Sequence, residues 1–381
     1  MKIAFISTRG IPNDYGGFEQ FAEYLSVGLV ARGHDVTVYS PHYHPYKGNE
    51  YKGVHIKHIY SPEQWMGGSV GSFFYDFLSL RDALKKEHFD IIYDAGYTSI
   101  IPAYIWFNVK NIKTPIFTTN MDGLEYKRTK FNKWTQKFLF WEERQAVKHS
   151  HFLIADNLGI KDYYKEKYGK ESKFLAYGAD IHNDYNMAVL EQYNLTPNEY
   201  FILVARMEPE NNIKMAIEGY LASDQSGKRP LIVVGKTNTD HGYFLTHKYE
   251  SFKNVRFVGG IFDFQKLNSL RYYSLAYFHG HSVGGTNPSL LEAMASSCFI
   301  LSHNNVFNKT VLNDNALYYN NKNEVTSILN RIDDLVLSYK EEFVNRNLDV
   351  IRNEYSWEKL IDEHEKYFKD ILHSSAFSNS I

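Results

Sequence analysis

A glycine pair and a single arginine are the residues best placed to bind an anion. The pair Gly16–Gly17 precedes a segment whose apolar spacing predicts a helix, and glycines at a helix start let backbone N–H groups approach an anion closely. Arg206 follows the apolar run Phe201–Ala205, which predicts a strand, so its guanidinium is expected at the carboxyl end of that strand. A planar, permanently charged guanidinium suits a diphosphate. Two alternatives stay open: a simple glycine turn, and a surface pair of Arg206 with Glu208 or Glu210.

A third candidate is the segment His281–Met294, which follows a predicted strand and opens a predicted helix. Its first half is expected to present backbone N–H groups beside the same strand ends: Gly284, Gly285, Thr286 and Asn287. Ser289 and Glu292 also fit a capping box, in which both side chains bond to the first turn of a helix. Glu292 is therefore open to two interpretations, a ligand contact or a helix cap.

The common phosphate-binding and cofactor-binding motifs are missing from this sequence. No G-x-G-x-x-G follows the first predicted strand, Ile3–Ser7, which disfavours a nicotinamide dehydrogenase. Gly227-Lys228 lacks the surrounding residues of a Walker A loop, and no D-x-D pair is present to hold a divalent metal against a diphosphate. A bound phosphate must then be held by helix N-termini and cationic side chains, so we expect neither a metal nor a cofactor.

Histidine and cysteine usage gives no metal centre either. Three histidine pairs occur, at His42/His44, His149/His151 and His279/His281. No nearby cysteine or spaced carboxylate completes a site of known geometry around them. The single cysteine, Cys298, excludes a disulfide framework and a cysteine-based zinc site.

Charge and hydropathy limit the partners and the location. Lysine and arginine total 42 against 44 for aspartate and glutamate, so no global positive field is expected and nucleic acid is not a predicted partner. The longest charge-free apolar stretch, between Asp94 and Lys110, has 15 residues and contains Pro102, whereas roughly 20 residues are needed to cross a bilayer. The chain start predicts a strand and no signal peptide. We expect a cytoplasmic protein that touches a membrane only from its surface.

Short apolar runs alternate with helical patterns, which predicts parallel sheets with helices on both faces. In the first half, the predicted strands are Ile3–Ser7, Val36–Tyr39, Ile91–Tyr93, Ile116–Thr119 and Phe152–Ala155, with a helix over Phe18–Arg32. In the second half, they are Phe201–Ala205, Leu231–Val234, Val255–Val258, Ala276–His279 and Phe299–Ser302, with helices over Ile213–Leu221 and Leu290–Ala295. A polar helix is predicted over residues 356–372, and residues 373–381 are predicted to fray.

This pattern predicts an α/β fold with two doubly wound, Rossmann-like domains, residues 1–180 and 181–355, followed by the helix 356–372. Two such domains placed face to face form a cleft at the carboxyl ends of both sheets. Open α/β folds bind their ligands at that edge.

Three segments together resemble the retaining glycosyltransferases of family 4, which have the GT-B fold. They are Gly16-Gly17 with Glu19, then Val204–Asn212, then Pro288–Met294. The resemblance spans nearly the whole chain and implies that the closing helix crosses back to the first domain. Two shorter stretches, Asn120–Arg128 and Gly285–Ser289, look like those of the bacterial polysaccharide rhamnosyltransferase branch.

The resemblance implies a role for each of the residues singled out above. Arg206 would bind the diphosphate of a nucleoside diphosphate sugar, and Glu292 would accept hydrogen bonds from its ribose or deoxyribose. The backbone of Gly285–Asn287 would hold the phosphate and the sugar. The pair Gly16–Gly17 would close on the donor from the other domain.

Two positions depart from the family pattern. The family usually has a glutamate eight positions before the glutamate of the last motif, where this chain has Gly284, and commonly a lysine where this chain has Asn211. The first departure removes a carboxylate contact with the donor sugar, and the second leaves the donor-binding arginine without its cationic partner. Lys214 and Lys236 are the candidates to replace that lysine.

The residues after the predicted strand Ile116–Thr119 are candidates for contact with the reacting groups. The resemblance implies front-face attack, in which the leaving phosphate itself takes the proton of the acceptor. Asp122 is predicted to orient the donor sugar or the acceptor hydroxyl, and Asn120 stands where many relatives carry a histidine. The alternative is that Asn120–Gly123 forms only a turn.

The stretch from Lys127 to Arg144 is the candidate acceptor side. Aromatic residues recur there at helical spacing, each lysine lying one position before an aromatic residue: Phe131, Trp134, Phe138 and Trp141, with Lys130, Lys133 and Lys137. A basic helix with aromatic flanks suits an anionic membrane surface or a lipid diphosphate acceptor, with Lys127 and Arg128 on the same side. Alternatively, the aromatic stripe packs into the core and the lysines face solvent.

Residues and resemblance together predict a retaining, metal-independent hexosyltransferase of bacterial surface polysaccharide synthesis, at the inner face of the membrane. The resemblance points to L-rhamnose from dTDP-L-rhamnose as the transferred sugar, with a lipid-linked or saccharide acceptor. Two other functions remain open for this architecture: a nucleotide-sugar 2-epimerase, and a catalytically silent module that binds a sugar nucleotide.

Overall fold

The structure is a computed structural model that describes residues 1–14, 16–121 and 123–378. The chain divides into two compact units. Unit 1 comprises Met1–Tyr126, Lys133–Tyr177 and the chain from Trp357 onward, and unit 2 comprises Lys127–Asn132 and Gly178–Ser356. Each unit is built on a sheet whose strands are parallel or nearly all parallel, so the predicted α/β fold with two parallel-sheet domains is confirmed.

The strands of unit 1 are β1 (Lys2–Ile6), β2 (Asp35–Pro41), β3 (Glu50–Tyr51), β4 (Val54–Ile59), β5 (Ile91–Asp94), β6 (Ile116–Asn120), β7 (Phe152–Ala155) and β8 (Lys173–Phe174). They form one sheet in the order β3-β4-β2-β1-β5-β6-β7-β8, in which β3 runs antiparallel to β4. β3, β4 and β8 were not predicted, because they are short or carry polar and charged residues. The strand order reverses between β1 and β5, so the loops after these strands lie at the switch point of the sheet.

The helices along this part of the chain are α1 (Gly17–Ala31), α2 (Glu63–Met66), α3 (Gly68–Lys86), α4 (Ile101–Trp106), α5 (Lys133–His149) and α6 (Leu158–Tyr168). Short 3₁₀ turns occur at Val109–Asn111 and Glu125–Lys127. α1 buries the predicted apolar face, including Phe21, Leu25 and Leu29. That burial holds the helix against the sheet and places its N-terminus near the end of β1.

Unit 2 contains a second, smaller parallel sheet. Its strands are β9 (Phe201–Val204), β10 (Leu231–Val234), β11 (Val255–Gly259), β12 (Ala276–His279), β13 (Ile300–His303) and β14 (Leu317–Tyr319). The strand order is β11-β10-β9-β12-β13-β14. The switch point therefore lies between β9 and β12, both of which are almost entirely buried, as expected for central strands of a parallel sheet.

The helices of unit 2 cover both faces of this sheet. They are α7 (Ile213–Leu221), α8 (Asp240–Tyr249), α9 (Phe264–Tyr272), α10 (Pro288–Ala295), α11 (Val306–Leu312), α12 (Lys322–Leu329) and α13 (Ile332–Glu354), with 3₁₀ turns at Met187–Tyr193 and Pro209–Asn211. The predicted bounds of α7 match the observed ones. α10 begins at Pro288, two residues earlier than predicted, because proline suits the first position of a helix.

The closing helix, α14 (Trp357–Ser378), belongs to unit 1 and packs on α1. Tyr24 stacks on Trp357 with ring centroids 4.5 Å apart, and His34 Nε2 lies 2.8 Å from Glu365 Oε1. The helix extends beyond its predicted end at residue 372, to Ser378, so residues 373–378 of the predicted frayed tail are helical. The remainder of that tail, residues 379–381, lies outside the described residues.

None of the helices in the described part of the chain combines the length and the apolar character needed to span a bilayer.

Candidate functional site

The loops that follow β9 and β12 touch at the switch point of unit 2. A Cβ atom built on Gly280 would lie 2.1 Å from the backbone oxygen of Asn211, so this contact requires glycine. Asn212 Nδ2 donates to Gly280 O at 2.8 Å. Ser282 N donates to Glu210 O at 3.0 Å. The two loops therefore form one connected edge.

Asn211 bridges these loops through its buried side chain. Its Nδ2 donates to Arg206 O at 2.8 Å, and its Oδ1 lies 2.9 Å from His281 Nδ1. A lysine ammonium is a donor only and could not reproduce a pair of bonds that needs both a donor and an acceptor. Asn211 fixes the geometry of the loops and supplies no charge.

Arg206 is exposed beyond the end of β9. Among the described residues, no carboxylate lies within ion-pair distance of its guanidinium. Glu210 pairs instead with Arg128, whose Nη1 lies 3.3 Å from Glu210 Oε1. The alternative that Arg206 forms a surface pair with Glu208 or Glu210 is therefore wrong within that part of the chain.

The loop before α10 is shaped by Gly284 and Asn287. Gly284 has φ of +125°, a conformation that strains any L side chain, so the family's glutamate does not fit this backbone. Gly285 and Thr286 are buried. Asn287 is the N-cap, and its Oδ1 accepts from Ser289 N at 2.9 Å. This N-cap uses the first helical donor, which leaves the loop backbone as the candidate contact for an anion.

The capping-box interpretation of Glu292 is wrong. Because Pro288 begins the helix, Ser289 lies inside the first turn, and its Oγ lies 2.7 Å from Tyr277 Oη. Glu292 Oε2 instead forms an ion pair at 2.7 Å with Nη2 of Arg271, which is 1% exposed. Arg271 also donates to Ser289 Oγ at 3.2 Å, so the pair is joined to the start of α10.

The two lysines that could replace the missing cation are exposed and lie on different elements. Lys214 is in the first turn of α7, with its Nζ 3.9 Å from Glu218 Oε1. Lys236 follows β10, and its Nζ lies 4.6 Å from the centre of the Phe262 ring. Neither side chain is held at the switch point by a hydrogen bond among the described residues.

His279 is the last residue of β12 and His281 lies in the loop after it, and both are buried. Burial lowers the pKa of His279 to about 3. Burial also lowers the pKa of His281 far below its ordinary value, and His279, Arg128 and Arg206 add to the effect. Both imidazoles are therefore neutral at pH 7. No group of three or more potential metal ligands occurs in the part of the chain that the structure describes.

The glycine pair of unit 1 lies at the start of α1. Gly16 is the N-cap in an extended conformation, and Gly17 is the first helical residue. Glu19 Oε1 accepts from Arg9 N at 3.0 Å, and a Cβ on Gly16 would lie 3.6 Å from Glu19 Oε2. The helix start thus already has a carboxylate beside it, which disfavours a second anion there by like-charge repulsion.

Asn120 is the last residue of β6 and is 2% exposed. Its Oδ1 is buried and has no hydrogen-bond partner among the described residues. Asp122 lies outside the described residues. Gly123 has φ of +64°, which fits the predicted turn after the strand.

Buried carboxyl groups near the switch point of unit 1 were missed by the sequence analysis. Asp94 ends β5, and burial raises its pKa to about 7. Burial raises the pKa of Glu142 on α5 to about 8, and that of Asp76 on α3 well above its ordinary value. Ser99 joins two of them, with Oγ 2.5 Å from Asp76 Oδ2 and N 3.2 Å from Glu142 Oε1. In the sequence, Glu142 shares helical spacing with Leu139 and Ala146, and a carboxylate at such a position could have marked it as buried.

The predicted basic helix begins later than expected, at Lys133. Lys127 and Lys130 precede it and are exposed, as are Lys133 and Lys137. Arg128, predicted on the acceptor side, is buried in unit 2 and pairs with Glu210.

The aromatic residues of α5 are not its core face. The helix buries Leu139, Glu142, Glu143, Ala146 and Val147. Trp134 is 80% exposed, and Phe138 and Trp141 are also exposed. The alternative of an aromatic core stripe is therefore wrong for these three residues.

Further exposed apolar residues come from the neighbouring helices of unit 1. Phe73 on α3 meets Phe138 edge-on at 5.9 Å, and Phe77 meets Trp106 at 6.1 Å. Trp106 on α4 is 75% exposed. We name as the aromatic surface the exposed residues Phe74, Ile105, Trp106, Trp134, Phe138 and Trp141. A patch of this kind on α3, α4 and α5 is typical of an interaction site.

Each half of the chain matches a protein family. Residues 190–356 match the family described as glycosyl transferases group 1, and residues 1–180 match a domain of unknown function (DUF1972). The findings together support a GT-B glycosyltransferase. No protein of curated function matches the sequence.

Solved structures share this GT-B fold at low sequence identity. Sucrose-phosphate synthase from Thermosynechococcus elongatus is similar with a TM-score of 0.79 at 14% identity, covering 98% of this chain and 99% of that chain. HepE from Anabaena, solved with UDP-glucose, has a TM-score of 0.74 at 14% identity, covering 98% and 100%. WaaG, a glycosyltransferase of lipopolysaccharide biosynthesis, has a TM-score of 0.70 at 13% identity, covering 96% and 99%.

In the group 1 domain, Glu292→Gln is expected to lower the free energy of unfolding by about 2–4 kcal/mol, because buried Arg271 loses its counter-charge. Chemical denaturation of the purified variant measures this loss. Glu341→Gln, on the exposed face of α13, is the matched control and should leave the free energy of unfolding nearly unchanged. Equal stabilities of the two variants would contradict a structural role for the ion pair.

In unit 1, Glu142 has an ordinary pKa of 4.5 and a folded-state pKa of about 8. The folded chain keeps a proton that the unfolded chain releases, so stability should fall as the pH rises between these values, by at most about 1.4 kcal/mol per pH unit. Glu142→Gln should flatten the dependence measured by urea denaturation at pH 5 to 8. Glu166→Gln, exposed on α6, should leave the slope unchanged. An identical slope in both variants would show that Glu142 does not carry the effect.

Proposed function

We propose that this GT-B chain transfers a hexose from a nucleoside diphosphate sugar to a lipid-linked or saccharide acceptor with retention of anomeric configuration. The observation that carries the proposal is Arg206, which follows β9 at the switch point of unit 2 and whose exposed guanidinium has no ion pair within the described residues. Its backbone oxygen accepts from Asn211 Nδ2, which anchors the main chain at this position. A cation at this edge suits the diphosphate of a nucleotide donor.

Two observations support the proposed donor: the ligand of a similar solved structure, and the backbone conformation of Gly284. HepE was solved with UDP-glucose, which supports a nucleotide sugar as donor for this chain. Gly284, with φ of +125°, stands where the family has a glutamate that contacts sugar hydroxyls. This difference favours a donor sugar with another hydroxyl pattern, and the resemblance of Gly285–Ser289 points to L-rhamnose from dTDP-L-rhamnose.

The proposed mechanism depends on charge stabilisation. Breaking the anomeric C–O bond places negative charge on the leaving diphosphate, which Arg206 and the backbone of Gly285–Asn287 would stabilise in place of a metal ion. The leaving phosphate would take the proton of the acceptor hydroxyl. Glu292 would bond to the ribose or deoxyribose, and Asn120 and Asp122 keep their predicted role of orienting the reacting groups.

The lipid-linked acceptor is supported by the aromatic surface of unit 1. Exposed indole rings favour the membrane interface. Lys133 and Lys137 lie on α5, which carries three residues of the aromatic surface, and Lys130 lies three residues before that helix. Lysines beside an apolar patch complement anionic lipid headgroups. We therefore propose peripheral binding to an anionic membrane, with the aromatic surface as the contact.

Replacement of Arg206 tests the proposed function. A panel of nucleoside diphosphate sugars, including dTDP-L-rhamnose, is first screened by thermal shift and then assayed for transfer. Arg206→Ala should lower the transfer rate by about a hundredfold while the fold is retained, because the leaving group loses charge stabilisation. Arg346→Ala, exposed on α13, is the control and should transfer normally.

Other outcomes of the same assay would contradict the proposal. Normal transfer by Arg206→Ala would refute the phosphate role. Donor conversion without any acceptor would favour the 2-epimerase, and donor binding without turnover would favour the silent module. Transfer is expected to persist in EDTA, and a loss that Mn²⁺ restores would overturn metal independence.

Vesicle binding tests the membrane contact. Replacing Lys130, Lys133 and Lys137 together with alanine should weaken binding to vesicles rich in phosphatidylglycerol by about a hundredfold, since each lysine near the surface contributes about 1 kcal/mol. Trp106→Ala combined with Trp134→Ala should also weaken binding. Co-sedimentation measures both effects.

Two control variants test whether vesicle binding depends on the aromatic surface and its lysines or only on the total charge and hydropathy of the chain. Alanine at Lys228, Lys253 and Lys366 removes the same charge elsewhere, and Leu337→Ala removes a side chain that is 89% exposed on α13. Both should bind vesicles like the parent chain. Equal losses in test and control variants would contradict the aromatic surface as the membrane contact.

A further inference from the structure

Arg128 is a buried cation at the switch point of unit 2. It lies in the segment Lys127–Asn132, which belongs to unit 2 although the chain on both sides of it belongs to unit 1. Arg128 is 7% exposed, whereas Lys127 and Lys130 are exposed. A charged side chain is rarely buried without a specific partner, so the placement of this one calls for a physical reason.

Glu210 is an ion-pair partner of Arg128. Nη1 of Arg128 lies 3.3 Å from Glu210 Oε1, and Glu210 is itself buried. Glu210 O also accepts from Ser282 N at 3.0 Å and from Ser282 Oγ at 2.9 Å. Glu210 therefore belongs to the same connected edge as Asn211, where the loop after β9 contacts the loop after β12.

Two guanidiniums belong to this edge, because Arg206 follows β9 and Arg128 pairs with Glu210. After burial and His279, Arg128 and Arg206 both lower the pKa of the His281 imidazole. His281 is neutral, and Glu208 and Glu210 are the carboxylates of the loop after β9. The connected edge therefore carries two guanidiniums, and an anion with several oxygens can bond to both.

We propose that Arg128 is the second cation that binds the donor diphosphate, with Glu210 as the residue that positions its guanidinium. The inference rests on the proposed function and deepens it. Asn211 is engaged at both ends of its amide and uncharged, and Lys214 and Lys236 are exposed on α7 and after β10, whereas Arg128 is held by Glu210 on the connected edge. The planar fork of a second arginine suits a diphosphate, which offers oxygens on both phosphates.

The experiment measures the affinity of nucleoside diphosphates by calorimetry. The probes are dTDP, UDP, GDP and ADP with the parent chain, followed by the matching monophosphate of the tightest ligand. Arg128→Gln should weaken diphosphate binding roughly tenfold or more and should narrow the preference for diphosphate over monophosphate. Arg128→Lys should recover part of the affinity. Alanine at Lys228 and at Lys253, two exposed lysines of unit 2, should leave nucleotide binding unchanged.

A second variant guards against a folding defect. Arg128→Gln leaves Glu210 without its counter-charge, whereas the double variant with Glu210→Gln removes both charges and keeps the pair neutral. We expect the double variant to fold, by circular dichroism and thermal melting, and still to lose the diphosphate preference. A merely structural pair would predict parent-like preference in that variant.

The outcomes distinguish a failure of the role proposed for Arg128 from a failure of the proposed function. If the parent chain binds none of the nucleoside diphosphates, the proposed function fails. If the parent and Arg206→Ala behave as expected but Arg128→Gln and the double variant bind the diphosphate like the parent, only the role of Arg128 is overturned.

Discussion

The backbone contact between Gly280 and Asn211 is the constraint on which the edge of unit 2 depends. A side chain at Gly280 would enter the space of the Asn211 carbonyl, so the loops after β9 and β12 can meet only because that position is glycine. The contact sets the path of the chain from Arg206 to Asn211 and from Gly280 to Asn287. Arg206, Gly285–Asn287 and Glu292 lie on these two paths or on the helix that follows, and Arg128 is joined to the first path by its pair with Glu210.

Two arginine–carboxylate pairs also stabilise this region of unit 2. Arg271 holds Glu292 and the first turn of α10, and Arg128 is held by Glu210. Breaking a buried pair by removing one partner is costly, since the remaining charge stays in a poorly solvated place. Mutational data on this region therefore need a stability measurement beside every activity measurement.

Unit 1 presents a different balance of burial and exposure. Near the switch point its carboxyl groups, Asp76, Asp94 and Glu142, are buried and favour the protonated form, while large aromatic rings lie exposed on α3, α4 and α5. Burying carboxyl groups costs stability as the pH rises. Large exposed rings are typical of an interaction surface.

The sequence by itself determined the α/β class, most strand and helix positions and the approximate place of Arg206, because hydrophobic periodicity and loop position are local properties. It also located Gly284 and Asn211 as departures from a family pattern. Tertiary structure decided which side chains meet: Glu292 with Arg271 in place of a capping box, Arg128 with Glu210 in unit 2, and the aromatic rings of α5 outside the core. Those outcomes depend on partners distant along the chain, and helical spacing alone does not say which face of a helix the rest of the protein covers.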